Sequence, residues 1–210
     1  MSKVDRYLIL SGAIGSVTFA LAILILGAMF PGYDHVRDYI SELGAVDSPV
    51  KDLMNIFGFF LVGLFMIAFA IGLYRTIGTN WSGKTGSILI LISGILFSSI
   101  AFFPCDPGCF NESETGDLHN LTSDSALPLG GIGFIFILFS LKSDRSWGKY
   151  LPLIVLLIIL AFVLGLTYPE LDATVYGGLV QRLAIGIPFS FMLISSLYLY
   201  KTRFLNNKTQ

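Results

Sequence analysis

Six apolar stretches, each long enough to cross a bilayer, constrain this chain more than anything else in it. They run over about Tyr7–Phe30, Leu53–Tyr74, Ser87–Phe103, Leu118–Leu141, Tyr150–Tyr168 and Gly178–Tyr200. A helix needs about 20 predominantly apolar residues to cross a ~30 Å hydrocarbon core. Backbone polar groups left unpaired in lipid are costly, so spanning segments must be helical. The alternating segments of about 10 residues that would mark a barrel are absent. Six spans consume most of the 210 residues and leave short loops and tails. The expectation is therefore an all-α, polytopic, six-transmembrane-helix bundle that forms one domain over residues 1–210.

Composition agrees. Charged residues are 13% of the chain and hydrophobic ones 54%, against roughly 25% charged in soluble domains. That excludes an ordinary soluble enzyme, and also a disordered chain, which needs low hydrophobicity and high charge. A net charge of −1 offers nucleic acid no electrostatic footprint, so no nucleic-acid partner is expected. Lys3 and Arg6 precede the first apolar run as in a signal peptide. The run is longer than such a core, and no small-x-small site closes it, so it reads as an uncleaved first helix.

Basic residues set the orientation. Lys3, Arg6, Arg75, Lys84, Lys142, Arg145, Lys149, Lys201, Arg203 and Lys208 fall on one side, and only Arg37 and Lys51 on the other. Both termini are thus expected in the cytoplasm, with the protein multi-pass in the plasma membrane. The acids gather on the opposite side, in longer loops, so recognition chemistry is expected in the outer half. The odd-numbered spans end alike, with Phe30-Pro31, Phe103-Pro104 and Tyr168-Pro169 each followed by acids. Interfacial aromatics and helix-stopping prolines account for that pattern without an internal repeat.

The first outer loop reads PGYDHVRDYISELGAVDSPV over residues 31–50. Val36, Tyr39, Ile40 and Leu43 recur at helical spacing, which predicts a short amphipathic helix over Asp34–Leu43 lying on the outer surface. Gly44 is a candidate left-handed cap for it, and Asp47 or Ser48 a candidate cap for the next span. His35, Ser41 and Glu42 are its candidate functional groups. They read equally as solvated charges on a structural cover.

The second outer loop holds the chain's two cysteines, Cys105 and Cys109, around Asp106-Pro107-Gly108. The turn dipeptide can bring the sulfurs together, and an oxidising compartment favours a disulfide. A metal pair with His119 or His35, or a redox-active pair, are the alternatives. Zinc sites need three or four protein ligands and there are only two histidines, so no metal is expected. From His119 the fourth span reads HNLTSDSALPLGG, which puts His119, Asn120, Ser123 and Asp124 on one arc of about 140°. Pro128 removes the hydrogen bond to the Asp124 carbonyl. A helix start bathed in the interface would look the same.

Arg182 is the sharpest single feature. If the sixth helix starts near Thr174, Arg182 lies about eight residues in, or ~12 Å down the helix axis, where a charge is costly unless paired or hydrated. Gly178, Arg182 and Gly186 share a face on which small residues permit close helix approach. The expected partner is a carboxylate: Asp124 first, then Glu42 or Asp52, with Asn55 one turn beyond Asp52 in the same network. A purely structural ion pair is the competing reading.

Ile40-Ser41-Glu42-Leu43-Gly44-Ala45 after an aromatic-Pro-Gly, together with Phe103-Pro104-Cys105-Asp106, His119 and Gln181-Arg182-Leu183, resembles the prokaryotic membrane protein family catalogued as domain of unknown function 998. The resemblance covers nearly the whole chain. The Ile-Ser-x-x-Gly piece is faintly similar to the DRAM and Sfk membrane proteins. The family resemblance implies the topology and the choice of residues, and implies no activity.

The reading that follows is a non-enzymatic protein binding a lipid or small amphiphile in a polar pocket of the outer half. Arg182, Asp124, Gln181, His35 and Asn55 would line it, and Arg182 would meet a phosphate or carboxylate bidentately. The alternative is an intramembrane lipid hydrolase or transferase, with Ser41, Glu42, Asp106 and His119 as acid–base or nucleophilic candidates. No nucleophile elbow or paired-histidine metal motif is present. A small transporter is a further alternative, although polar residues crowd one end of the spans. No cofactor is expected. Membrane lipids are the expected partners, with a homodimer through Gly130-Gly131-x-Gly133 as an option.

Overall fold

A computed structural model of the chain describes residues 2–110, 112–142, 147, 151–167 and 173–205. The helices, numbered here in chain order, are α1 Lys3–Met29, α2 Lys51–Ile77, α3 Trp81–Ser99, α4 Glu114–Leu141, α5 Leu151–Thr167 and α6 Ala173–Tyr200. Five of them, α1 to α4 and α6, are long and apolar enough to cross a membrane, whereas the apolar part of α5, Pro152–Gly165, is shorter. Tyr168–Pro169 and the acids Glu170 and Asp172, like Arg145, Lys149 and Lys208, lie outside the described residues.

The helices begin earlier than the apolar stretches because polar residues start them. Ser2 and Asp5 form a reciprocal capping box on α1. Asn80 accepts from Gly83 N at 2.8 Å to start α3, and Ser113 accepts from Gly116 N at 3.1 Å to start α4. Each side-chain oxygen satisfies a backbone donor that the first helical turn leaves unpaired. Within α2, Met54–Phe60 winds as a π-helix.

Neighbours follow the order α6–α1–α2–α3–α4, with α5 laid against α6. Phe69, Leu73, Ile90, Ile137, Leu138, Met192 and Leu199 are fully buried between these helices. Phe19 stacks on Phe189 at 4.6 Å and meets Phe97 edge-on at 5.5 Å. Close approach is bought with glycine: a Cβ on Gly63 would lie 2.5 Å from Ser98 N. A Cβ on Gly133 would lie 2.8 Å from Ile90, and one on Gly130 2.8 Å from the Ser93 hydroxyl. Gly130 and Gly133, two of the three glycines offered as a dimer face, therefore serve α3–α4 packing inside one chain. Outside the core, Val17, Leu21, Leu24 and Ile25 on α1 and Leu153, Leu156, Ile159, Leu160, Phe162 and Val163 on α5 are exposed. A water-facing surface rarely carries apolar patches of that extent, and a bilayer accepts them.

The predicted amphipathic helix over Asp34–Leu43 is not formed. A hydrogen-bonded turn at Asp34–Asp38 is followed by a 3₁₀ turn at Ser41–Gly44. Local side chains take the backbone groups a helix would use. The Asp34 carboxylate accepts from Val36 N, the Asp38 carboxylate from Asp34 N and the Glu42 carboxylate from Tyr39 N, each at 2.8 Å. The apolar side of the segment is still inserted: Ile40 and Leu43 are buried. Gly44 is not left-handed, since positive φ among the described glycines is confined to Gly32 and Gly108. It is needed because a Cβ would lie 2.5 Å from Asn55 Oδ1 and 2.9 Å from the Phe59 ring.

Candidate functional site

Arg182 and Gln181 of α6 clasp the loop that joins α1 to α2. Arg182 Nη1 donates to the carbonyl of Asp38 at 2.8 Å and to that of Gly178 at 2.9 Å. Nη2 donates to the Tyr33 hydroxyl at 2.5 Å and to His35 Nδ1 at 3.1 Å. The guanidinium also sits 5.5 Å from the Tyr33 ring centroid. Ile40 N donates to Gln181 Oε1 at 2.6 Å, and Gly178 N and Leu179 N donate to the carbonyls of Arg37 and Val36. Gly177 and Gly178 admit the loop: a Cβ on Gly177 would lie 2.6 Å from the Tyr39 ring.

The expected carboxylate partner for Arg182 is not found. Among the described residues no Asp or Glu oxygen lies within 4.0 Å of it, and Asp52 is exposed beside Lys51. Carbonyl dipoles, a phenol and a neutral imidazole receive the cation instead. The small residues near it serve loop-to-helix contact; a Cβ on Gly186 would meet nothing within 4 Å. Asn55 does not join Arg182 either. Its Nδ2 donates to Gly44 O at 3.2 Å while Oδ1 has no partner.

Electrostatics in the loop fit this arrangement. Burial lowers the His35 imidazole below 6.5, and the Arg182 charge lowers it further. Burial pushes the Tyr33 phenol up to about 12, against the attraction of Arg182. Burial also raises the Glu42 carboxyl. For Asp38 burial acts upward but loses to hydrogen bonds from Arg37 and Asp34 N–H, which hold the carboxyl low.

Beneath and beside the clasp lies a cavity of about 1100 Å³. One end is polar, lined by Asp38, Ser41, Glu42, His119, Asp124 and Gln181 among others; Asn120 and Ser123 also line it. The other end is apolar, walled by Phe19, Phe59, Phe97, Ile135, Ile158 and Pro188. Lining residues Ile132 of α4 and Ile159 and Phe162 of α5 are also exposed, so the cavity opens sideways between those helices. Arg182, His35 and Asn55 do not line it. His119 is buried, with Nδ1 against the Phe103 carbonyl at 2.8 Å.

Asp106 is committed elsewhere. Its carboxylate accepts from Glu112 N, Ser113 N and Ser113 Oγ at 2.7 to 2.9 Å, which holds its carboxyl low and organises the start of α4. Cys105 and Cys109 stand at disulfide distance with Cα atoms 5.0 Å apart. Val46 N donates to the Cys105 carbonyl at 3.0 Å, stitching the two loops together. Among the described residues no group of three or more His, Cys, Asp or Glu side chains is arranged to hold a metal. Tyr33 and the wall residues Phe59 and Phe97 escape sequence reading, because an aromatic near a span end looks like any interfacial anchor.

Long apolar helices around a shared core, with polar groups drawn to one end, define a polytopic helical membrane protein. The profile of the family described as "Protein of unknown function (DUF998)" matches residues 13–198, so the chain belongs to that family. No curated protein and no solved structure matches the chain.

Proposed function

We propose that this protein binds a single lipid or small amphiphile in the cavity between α4, α5 and α6, as a six-span protein of the plasma membrane with both termini in the cytoplasm. The observation that carries the reading is the shape of the cavity's chemistry: one polar end beneath the α1–α2 loop, apolar walls below, and an opening toward the acyl chains. Its volume of about 1100 Å³ is just above the ~300–1,000 Å³ range of small-molecule sites, which suits a chain-bearing molecule. The orientation rests on the basic residues, and the sixth span on the apolar run of α5, whose flanks would complete it.

Gly131 and Gly165 line the cavity with room to spare: a Cβ on Gly165 would meet nothing within 4 Å, and one on Gly131 only Ile158 at 3.6 Å. Gly131→Leu and Gly165→Leu should fill the space without disturbing the core. Native mass spectrometry of the wild type should then show one retained lipid-sized mass that both variants lose. Retention by both variants would sink the reading.

A lipid-modifying enzyme is the second reading, on the observation that Ser41, Glu42 and His119 line the same cavity. Chemical change of the retained molecule during incubation, abolished by His119→Gln, would establish it.

A further inference from the structure

The charged lining of the cavity is one-sided. Among the described lining residues its carboxylates are Asp38, Glu42 and Asp124, and Arg37 alone is a permanent cation. Arg37 is already engaged, holding both Asp38 oxygens at 2.6 and 3.0 Å and the Gly32 carbonyl at 3.2 Å. Arg182, the cation expected to meet an anionic head, is bound to the loop and does not line the cavity. Glu42 and Asp124 therefore border the cavity with no Lys or Arg within 4.0 Å among the described residues. Among the described residues the Asp124 carboxylate has no hydrogen-bond partner.

A second, independent observation points the same way. His119 lines the cavity and is only 2% exposed. A carbonyl can only accept, so the 2.8 Å contact with Phe103 O puts the proton on Nδ1. That leaves Nε2 as a lone pair with no partner among the described residues. An unpartnered acceptor of a buried side chain on a cavity wall calls for a donor from the occupant. An anionic head would instead add charge beside two carboxylates, in surroundings where like charges repel strongly.

We propose that the occupant's polar end is a primary ammonium on an aliphatic chain, its charge balanced by Glu42 and Asp124 and its N–H groups accepted in part by His119 Nε2. An ammonium brings three donors and no acceptor, which complements this lining. The inference rests on the amphiphile reading of the same cavity and specifies its ligand class. Single-chain amines and amine-headed diacyl lipids share the chemistry.

The test is titration of the full chain in nonionic detergent, at neutral pH, with decylamine, decanoate and decanol. Decylamine should bind about tenfold more tightly than the other two, the worth of one charge-assisted contact. Asp124→Asn and Glu42→Gln should each erase most of that preference, read as the ratio of decylamine to decanol affinity within the same variant. Equal or tighter binding of decanoate, or an amine preference that survives both substitutions, would overturn the assignment. If all three probes bind alike and Gly165→Leu abolishes all three, the amphiphile reading stands and the ammonium assignment falls. If Gly165→Leu changes nothing, both fall. With the amine preference established, competition between phosphatidylethanolamine and phosphatidylglycerol of identical chains separates the sources. Selective retention of the former assigns the diacyl lipid, and equal retention assigns a single-chain amine.

Discussion

Arg182 donates to four acceptors: three, on Asp38, Tyr33 and His35, hold the α1–α2 loop, and the fourth is the Gly178 carbonyl of its own helix. Removing it leaves a carbonyl and a phenol without their partner, and hydrogen bonds to a charged group are worth about 1.5–3 kcal/mol. Arg182→Ala should lower stability by roughly 2–4 kcal/mol, read as a shift in the denaturant midpoint in detergent. Arg182→Lys should recover only part of it, since a point charge cannot span the acceptors that the planar fork reaches. A wild-type midpoint for the alanine variant would contradict the clasp. His35 adds a pH dependence whose sign is fixed. Nη2 donates to Nδ1, so the clasp needs the imidazole neutral there. The folded value lies below the ordinary 6.5. The folded state therefore resists a proton that the unfolded chain accepts. The contribution is complete above 6.5 and declines as pH falls below it toward the folded value. Amide exchange over residues 33–40 should quicken as pH falls through that window, after correction for intrinsic rates. In His35→Gln the quickening should be absent.

At the scale of elements, two glycines separate packing from propensity. Gly63 faces the backbone of α3, where an added Cβ would sit 2.5 Å from Ser98 N and 2.6 Å from its Cα. Backbone cannot move aside as a side chain can, so Gly63→Ala should cost about 1–3 kcal/mol by overpacking. Gly165 faces open space, so Gly165→Ala should gain up to about 1 kcal/mol from helix propensity. Denaturant midpoints that moved in the same direction would contradict the placement of α2 against α3. The same contrast explains what the sequence could disclose. Runs of apolar residues announce helices because the bilayer demands them, and the polar arc from His119 follows from spacing alone. The π-helix at Met54–Phe60 has no local signature; it turns Asn55 toward Gly44 and Phe59 into the cavity wall. The α1–α2 loop misleads for a related reason. Its apolar spacing is helical, but Asp34, Asp38 and Glu42 capture its amides and α6 captures its carbonyls, so tertiary contacts override the periodicity. Arg182 was legible as a buried cation in need of partners, whereas their identity as carbonyls, a phenol and an imidazole was not.

Across the whole molecule, polarity is distributed in a way that bears on transport. At the end bearing the α1–α2 and α3–α4 loops, charged and polar side chains gather around the clasp and the cavity rim. At the opposite end Arg75 pairs with Asp5 at 2.5 Å, and Arg6 donates to the Tyr200 hydroxyl and stacks on its ring. Between them the cavity floor is Phe19, Phe97, Leu127, Ile185 and Pro188. The buried serines of the middle region are tied to backbone: Ser16 Oγ to Phe189 O, Ser93 Oγ to Ala126 O and Ser98 Oγ to Phe60 O. Among the described residues, an ion or proton entering from the rim would meet aromatic and aliphatic walls with no ionisable residue below the rim to relay it. Crossing hydrocarbon without such groups is costly, and a sideways opening offers its occupant exchange with the bilayer rather than passage through the protein. Proteoliposomes should therefore hold an imposed proton gradient as long as protein-free vesicles do, with or without added amphiphile. Collapse of the gradient on adding decylamine, beyond that in protein-free controls and lost in Gly165→Leu, would show that the cavity continues to the far side and would replace binding with transport.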